Sequence, residues 1–411
     1  MRTKYILLFF LFEIQIQQAF GQLSIEECYE KARRNYPLIK QYGLIKRAKD
    51  YTLSNANKAY LPQFKAAALE AFIEGIPPAI LPRKFNFIGL AVLSQSIWDG
   101  GNTKAKKAVE VANSGIDKAN LEVSMYSIKE RVNNLFFGIL LLEEQLKQLQ
   151  LTIKNLEQHL ERTRIAVENG KTYPTDLDEI GVQILNIEQQ MTDLRHNRLA
   201  YLEVLSAMIG ESIGEQKKLL KPVVMENKYP LSINRPELNL YQNQKKLYLA
   251  QHKVNKASLY PYIGVTVLGF FIVPGIDIAG SSISTVFVTG VNLSWSIDGL
   301  YKNANNKKLT KINIQKVRVE KETFLFNTNL ELSQYEKELE KYHTYLQQDQ
   351  EVLKLKKKIK EAYEVRYENG VSSMTDLLDK INDENIAQLD MILHEIQYLM
   401  SVYEIKNTSG N

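Results

Sequence analysis

The chain has 411 residues, with 52 basic and 47 acidic side chains spread along its length and a net charge of +5. That balance excludes the usual nucleic-acid binder, whose excess positive charge gathers on one face or tail. One cysteine, Cys28, excludes an internal disulfide framework and a cysteine-based zinc site, and the sparse, clustered glycines and prolines leave most of the chain free to form long helices.

Residues 1–21 read as a secretory signal. Arg2 and Lys4 form a short basic region, "YILLFFLF" (5–12) an apolar core interrupted early by Glu13, and "AFG" (19–21) a small-residue cut site ahead of Gln22. Cys28 lacks a lipobox, so no lipid is expected on it. No other window reaches the roughly 18 apolar residues of a membrane-spanning helix. If the exported protein enters a membrane, it must do so with strands.

Next comes a helix over 23–60, stopped by Pro62, since proline disfavours helix both at itself and in the residue before it. Two strands follow, "PQFKAAALEAFIEG" and "FNFIGLAVLSQSIW", around the turn-rich "IPPAILPRK". From Leu121 the apolar residues Met125, Ile128, Val132, Leu135, Ile139, Leu142, Leu146, Leu149, Ile153, Leu156 and Leu160 alternate spacings of four and three. This heptad seam predicts one long coiled-coil helix over 102–169, about 100 Å at 1.5 Å per residue. Asn169-Gly170 suits a left-handed helix end, and Thr175 suits the N-cap of a returning helix with Leu177, Ile180, Ile184, Ile187, Met191, Leu194, Tyr201, Leu205 and Met208 on its seam.

The second half repeats this order. Pro37 and Pro62 recur as Pro236 and Pro261, "LSQSIWDGG" (93–101) as "LSWSIDG" (293–299), and "ENGKTYPTDL" (168–177) as "ENGVSSMTDL" (368–377), all displaced by 199 or 200 positions. Copy two has a helix over 235–259 and strands "PYIGVTVLGFFIV" and "STVFVTGVNLSWSI", the latter placing Thr285, Phe287, Thr289, Val291, Leu293 and Trp295 on one face. A long helix over 300–369 follows, with Leu325, Leu332, Tyr335, Leu339, Tyr342 and Leu346 on its seam, then the turn with Gly370 and Thr375. The expected organisation is a signal (1–21), a first repeat (22–209), a linker forming part of a belt (210–234), a second repeat (235–406) and a tail (407–411).

The fold class expected is mainly α with membrane β. Four strands cannot close a barrel, and open edges are not tolerated in lipid. Two chains would give eight strands with a filled interior; three give twelve strands with a lumen and twelve helical rods. The geometry favours a homotrimer, a 12-stranded β-barrel on a 12-helix α-barrel.

On "ANKAYLPQF" and "VNKASLYPYI" before the strands, the "WDGG" and "SIDG" exits, "RPEL" opening copy two, and the "RYENG…TDLLD" turn, the sequence resembles the TolC-type outer-membrane efflux proteins over nearly all the mature chain. The resemblance implies a passive conduit for efflux or type I secretion in the outer membrane of a Gram-negative bacterium. Its implied partners are outer-membrane lipids, a periplasmic adaptor (membrane fusion) protein and an inner-membrane RND or ABC pump. It implies a periplasmic entrance at the hairpin tips, constricted by aspartates matching Asp176, Asp376 and Asp379. It aligns Tyr367 with a tyrosine of the closed-state network, and the family's arginine partner with Ser372. Against the gate role stands an ordinary one: acids are favoured in a first helical turn, and Thr175 with Asp178 could be a capping pair.

Trp98 and Trp295 sit at strand ends, where membrane barrels carry aromatic girdles; packing beside a turn is the other reading. Nothing points to an enzyme, cofactor or metal. The five histidines, His159, His196, His252, His343 and His394, form no i, i+4 pair, and no phosphate loop or serine elbow is present. The competing reading is an exported coiled-coil scaffold or periplasmic adaptor with a soluble β-domain.

Overall fold

The structure is a computed structural model that describes residues 22–80, 84–215, 217–223, 232–278 and 281–411. The expected signal peptide and much of the linker lie outside the described residues. In chain order the elements are strand β1 (Gln22–Leu23), helices α1 (Ile25–Asn35) and α2 (Gln41–Asn57), strands β2 (Gln63–Phe72) and β3 (Phe85–Trp98), and helices α3 (Asn102–Tyr126), α4 (Ile128–Glu168) and α5 (Pro174–Ile209). Then come strand β4 (Lys218–Leu219), helix α6 (Pro236–Ala257), strands β5 (Tyr262–Ile278) and β6 (Ser281–Ser294), and helices α7 (Asp298–Glu368) and α8 (Met374–Ser409). The order helix, strand pair, helical hairpin occurs twice.

Two expectations need correction. The single helix over 23–60 is two: Pro37 forces Tyr36 into extended geometry (φ −62°, ψ 130°), and a 3-10 turn over 37–40 precedes α2. The long helix over 102–169 is also two, broken at Ser127, whose hydroxyl donates to the Ser124 carbonyl at 2.9 Å and so engages a carbonyl of the helix ladder. Its counterpart α7 runs unbroken for 71 residues.

The chain divides into two compact units, each drawing on both repeats. The first comprises residues 1–39, 123–235 and 324–411. At one level of it, β1 pairs in parallel with β4, and α1 packs on α4 and α5, burying Leu23, Ile25, Cys28, Phe136, Phe137 and Leu205. Ser24 starts α1 with a reciprocal cap: its hydroxyl accepts from the Glu27 N–H and the Glu27 carboxylate accepts from the Ser24 N–H, both at 3.2 Å. The linker residues Lys218–Leu219 thus pair with Gln22–Leu23.

Further along the same unit, Leu149 and Leu156 of α4, Ile180, Ile187 and Met191 of α5, and Met374, Leu377 and Ile381 of α8 form one apolar core. The copy-one seams predict it well; later in α5, Leu202 and Ile209 take the buried places expected for Tyr201 and Met208. The Tyr201 ring instead lies over Gly138, where an added Cβ would come within 2.6 Å of it. On α7 the predicted seam residues Leu325, Leu332, Tyr335, Leu339, Tyr342 and Leu346 are only half-buried, between exposed neighbours. The heptad pattern is real, but one chain does not fill it.

The second unit, residues 40–122 and 236–323, holds a four-stranded antiparallel sheet ordered β2-β3-β5-β6. The β3–β5 pairing joins the hairpins of the two repeats, with Leu90 opposite Phe270 and Leu93 opposite Val267. Ala66, Ala91, Gly269 and Phe287 line up across the strands, so Phe287 covers Gly269, where an added Cβ would lie 3.0 Å from its ring. Large apolar side chains stand in the open: Phe64 is 68% exposed, Phe287 74%, Val291 74% and Leu293 69%. Trp295 lies just past the end of β6.

Candidate functional site

The repeated turn builds two tips with the same backbone. In tip one, Gly170 N–H donates to Val167 O at 2.9 Å and Lys171 N–H to Ala166 O at 2.9 Å. In tip two, Gly370 N–H donates to Tyr367 O at 2.9 Å and Val371 N–H to Arg366 O at 2.8 Å. These are the two bonds of a helix end closed by a left-handed residue, and Gly170 (φ 67°) and Gly370 (φ 71°) supply that residue.

After the glycines the tips diverge. Thr175 and Thr375 are not the N-caps; each sits one residue inside its helix. In tip two Ser373 caps α8: its hydroxyl accepts from the Asp376 N–H at 3.1 Å, and Asp376 Oδ2 accepts from the Ser373 N–H at 3.0 Å. Hydrogen bonds from Ser373, hydroxyl first and then backbone, hold the Asp376 carboxyl below the usual aspartate range. In tip one Tyr173 is at the cap position and Pro174 opens the helix, so no side chain caps α5. The expected Thr175–Asp178 capping pair is absent.

Asp176, the counterpart of Asp376, is thereby released for another contact. Its Oδ2 accepts from the Tyr367 hydroxyl of α7 at 2.8 Å and also from the Thr172 hydroxyl. Thr375 Oγ1 donates to Glu179 Oε2 of α5 at 3.0 Å. Tip one and tip two are thus bonded through Asp176 and through Thr375, and the Thr172 and Tyr367 hydroxyls also lie 3.4 Å apart. Burial and the bond to Asp176 raise the Tyr367 pKa, which keeps its hydroxyl a donor. Asp379 is exposed and has no ion pair among the described residues.

A cleft of about 510 Å³ lies between the tips, lined by Asp176, Glu179, Tyr367, Thr375, His159 and Glu364 among others. Ser372, which stands where the resemblance places an arginine, also lines it, and its buried hydroxyl has no hydrogen-bond partner. No group of three or more His, Cys, Asp or Glu able to hold a metal occurs among the described residues. Sequence reasoning placed Asp176 and Tyr367 at the tips but missed Thr172, Glu179 and the His159–Glu364 pair, because side chains meeting across helices leave no spacing signal.

Residues 86–211 match the family model described as outer membrane efflux protein. The solved channel CusC superposes with a TM-score of 0.71 at 13% identity, covering 93% of this chain and 91% of that one. VceC from Vibrio cholerae gives 0.70 at 12%, covering 94% and 96%, and the open state of MtrE from Neisseria gonorrhoeae gives 0.66 at 15%, covering 94% and 89%. No curated protein is significantly similar in sequence.

The fold is that of the TolC-type channels along nearly the whole chain, and the family's members are channels rather than enzymes. In this efflux-protein fold Trp98 and Trp295 come to the same end of the sheet. Trp98 meets Tyr260 edge-on with ring centres 6.3 Å apart, and the Trp295 indole N–H donates to Leu259 O at 3.1 Å. Tyr60 donates to Asp99 Oδ1 at 2.7 Å beside them. No described helix is long and apolar enough to cross a membrane.

Proposed function

We propose that the protein is a passive outer-membrane channel for efflux or type I secretion, with its entrance gated at the two helical tips. The sheet carries this reading. It is apolar, its large side chains are exposed, and both its outer edges, on β2 and β6, have no partner strand among the described residues. Edges of that kind survive in lipid only when closed by another strand, and three chains give a twelve-stranded barrel with a lumen. The aromatic end, with Trp98, Trp295, Tyr60 and Tyr260, suits the membrane interface.

The helical hairpins form the periplasmic conduit. The grooves beside the tips receive a periplasmic adaptor, which couples the channel to an inner-membrane RND or ABC pump. Asp376 and Asp379 form carboxylate rings around the axis and favour cations there. Asp376 can do so while capping α8, since Ser373 engages one oxygen and keeps it ionised. Asp176 with Tyr367 ties the tips in the closed state.

The test is single-channel conductance in a planar bilayer, comparing the wild type with Asp376→Ala/Asp379→Ala, with and without a trivalent cation. The expected result is a small cation-selective conductance that the substitutions enlarge and free from trivalent block. A channel indifferent to both changes removes the aspartates from the gate. Absence of any channel, with extraction in soluble form, returns the scaffold reading.

A further inference from the structure

The four helices that join the sheet all meet it at its aromatic end. A 3-10 turn after α2 leads into β2 at Gln63, and α3 begins at Asn102, just past Trp98. α6 ends at Ala257, just before Tyr262, and α7 begins at Asp298, just past Ser294. These junctions touch one another in the order of the strands. Tyr60, between α2 and β2, donates to Asp99, between β3 and α3. An added Cβ on Gly100 would come within 2.7 Å of the Tyr260 Cβ, so the start of α3 lies against the end of α6. One on Gly299 would lie 3.2 Å from Leu259, so the start of α7 adjoins the end of α6 too.

Lysines crowd these junctions. Lys58 lies in the turn after α2, Lys104, Lys106 and Lys107 in the first two turns of α3, and Lys253 and Lys256 in the last two turns of α6. At 1.5 Å per residue, all six stand within about 8 Å of a sheet-side helix end. None has an ion pair among the described residues, and Lys58 reaches only the Asn55 side-chain oxygen, at 3.5 Å. Acids are scarce there. Asp99 is taken by Tyr60 and by the Gly101 and Thr103 N–H groups, and Asp298 pairs with Lys302 at 2.8 Å. Set against Asp99, the six lysines leave a local excess as large as the net charge of the entire chain, +5. The opposite end of the sheet differs, since Lys84 there pairs with Glu74 at 2.8 Å.

Exposed apolar side chains, Leu61, Ile97 and Ile297, continue the surface of the sheet down to these lysines. Lysine stems lie well on such a surface while their ammonium groups reach beyond it. We propose that the junctions form a cationic collar that binds the phosphate headgroups of anionic phospholipids, in the leaflet that the aromatic end faces. This rests on the membrane reading of the sheet given above. The order along the strands, apolar surface, then aromatic rings, then lysines, matches the order of a leaflet from hydrocarbon to phosphate. The headgroup layer is roughly 5–8 Å deep on each side, about the depth over which the six lysines are spread. The attraction of lysine to an anionic surface fades within a Debye length, about 8 Å at physiological salt, so Lys307 and Lys308, further along α7, add less. A zwitterionic lipid carries its own amine beside the phosphate and gains little from the collar.

Trp98 and Trp295 are the two tryptophans of the chain, and both sit beside the collar, so their fluorescence reports the lipids that touch it. The test uses the full chain in phosphatidylcholine bilayers containing either brominated phosphatidylglycerol or brominated phosphatidylcholine. Quenching is compared at about 0.05 M and about 0.5 M salt. At low salt the brominated phosphatidylglycerol is expected to quench at a several-fold lower mole fraction, with the advantage shrinking toward parity at high salt. Lys104→Gln/Lys106→Gln/Lys256→Gln should lose most of the advantage. Lys354→Gln/Lys357→Gln/Lys358→Gln, which removes the same charge from exposed positions of α7 in the other unit, should keep it. The salt response of the wild type tests the collar without any substitution. Equal quenching at low salt, a collar variant that keeps the preference, or a remote variant that loses as much overturns the collar and leaves the membrane reading standing. Quenching by neither lipid overturns both.

Discussion

At the scale of single residues, the tips show one aspartate put to two uses. Asp376 and Asp176 occupy equivalent places in the duplicated turn, but serine at the cap engages the first, and Tyr173-Pro174 leaves the second to reach Tyr367. Tyr367→Phe keeps the ring and removes only the hydroxyl. We expect a higher resting conductance, with stability changed by about 1 kcal/mol, the usual net worth of one hydrogen bond; bilayer recording and denaturant titration measure the two. The sequence made these residues legible as tip residues, through glycine and the acid that follows it. It did not show their partners, because Asp176 and Tyr367 are brought together by the packing of two hairpins.

At the scale of elements, heptad spacing was the most readable signal. It located the α4–α5–α8 core through Leu149, Leu156, Ile180 and Ile187. It overran at Ser127, where a hydroxyl bonding back to Ser124 interrupts the helix without disturbing the pattern. The capping threonines were misassigned because threonine is a good N-cap wherever it stands, and Ser373 and Pro174 compete one or two residues earlier. The turn glycines have a separable role. Gly170 and Gly370 have positive φ and nothing within 4 Å of an added Cβ, so the penalty there is backbone strain alone. Gly370→Ala should cost about 1–2 kcal/mol. Gly370→Asn should cost less, since asparagine tolerates that conformation, and thermal unfolding of the pair would separate the values.

At the scale of the whole molecule, the duplication is visible in sequence, but the compact units are not. Each unit takes elements from both copies, so no cut between residues 209 and 235 would separate them. The β3–β5 pairing is the reason in the sheet, since it is the ladder that joins the copies. The seam of α7 and the two sheet edges are left incomplete by a single chain. Light scattering of the detergent-extracted protein, corrected for bound detergent, is therefore expected to give three chain masses. A stable single-chain species would contradict the twelve-strand closure.

The open edges of the sheet also bear on how the protein comes into being. A strand ladder whose end strands have no partner among the described residues is unfinished in one polypeptide once it stands in lipid. Under the proposed twelve-strand closure, maturation is not a private event of each molecule. Its yield should depend on how many copies meet and how quickly, and a scarcity of copies would lower the amount of mature material even if every molecule were faultless.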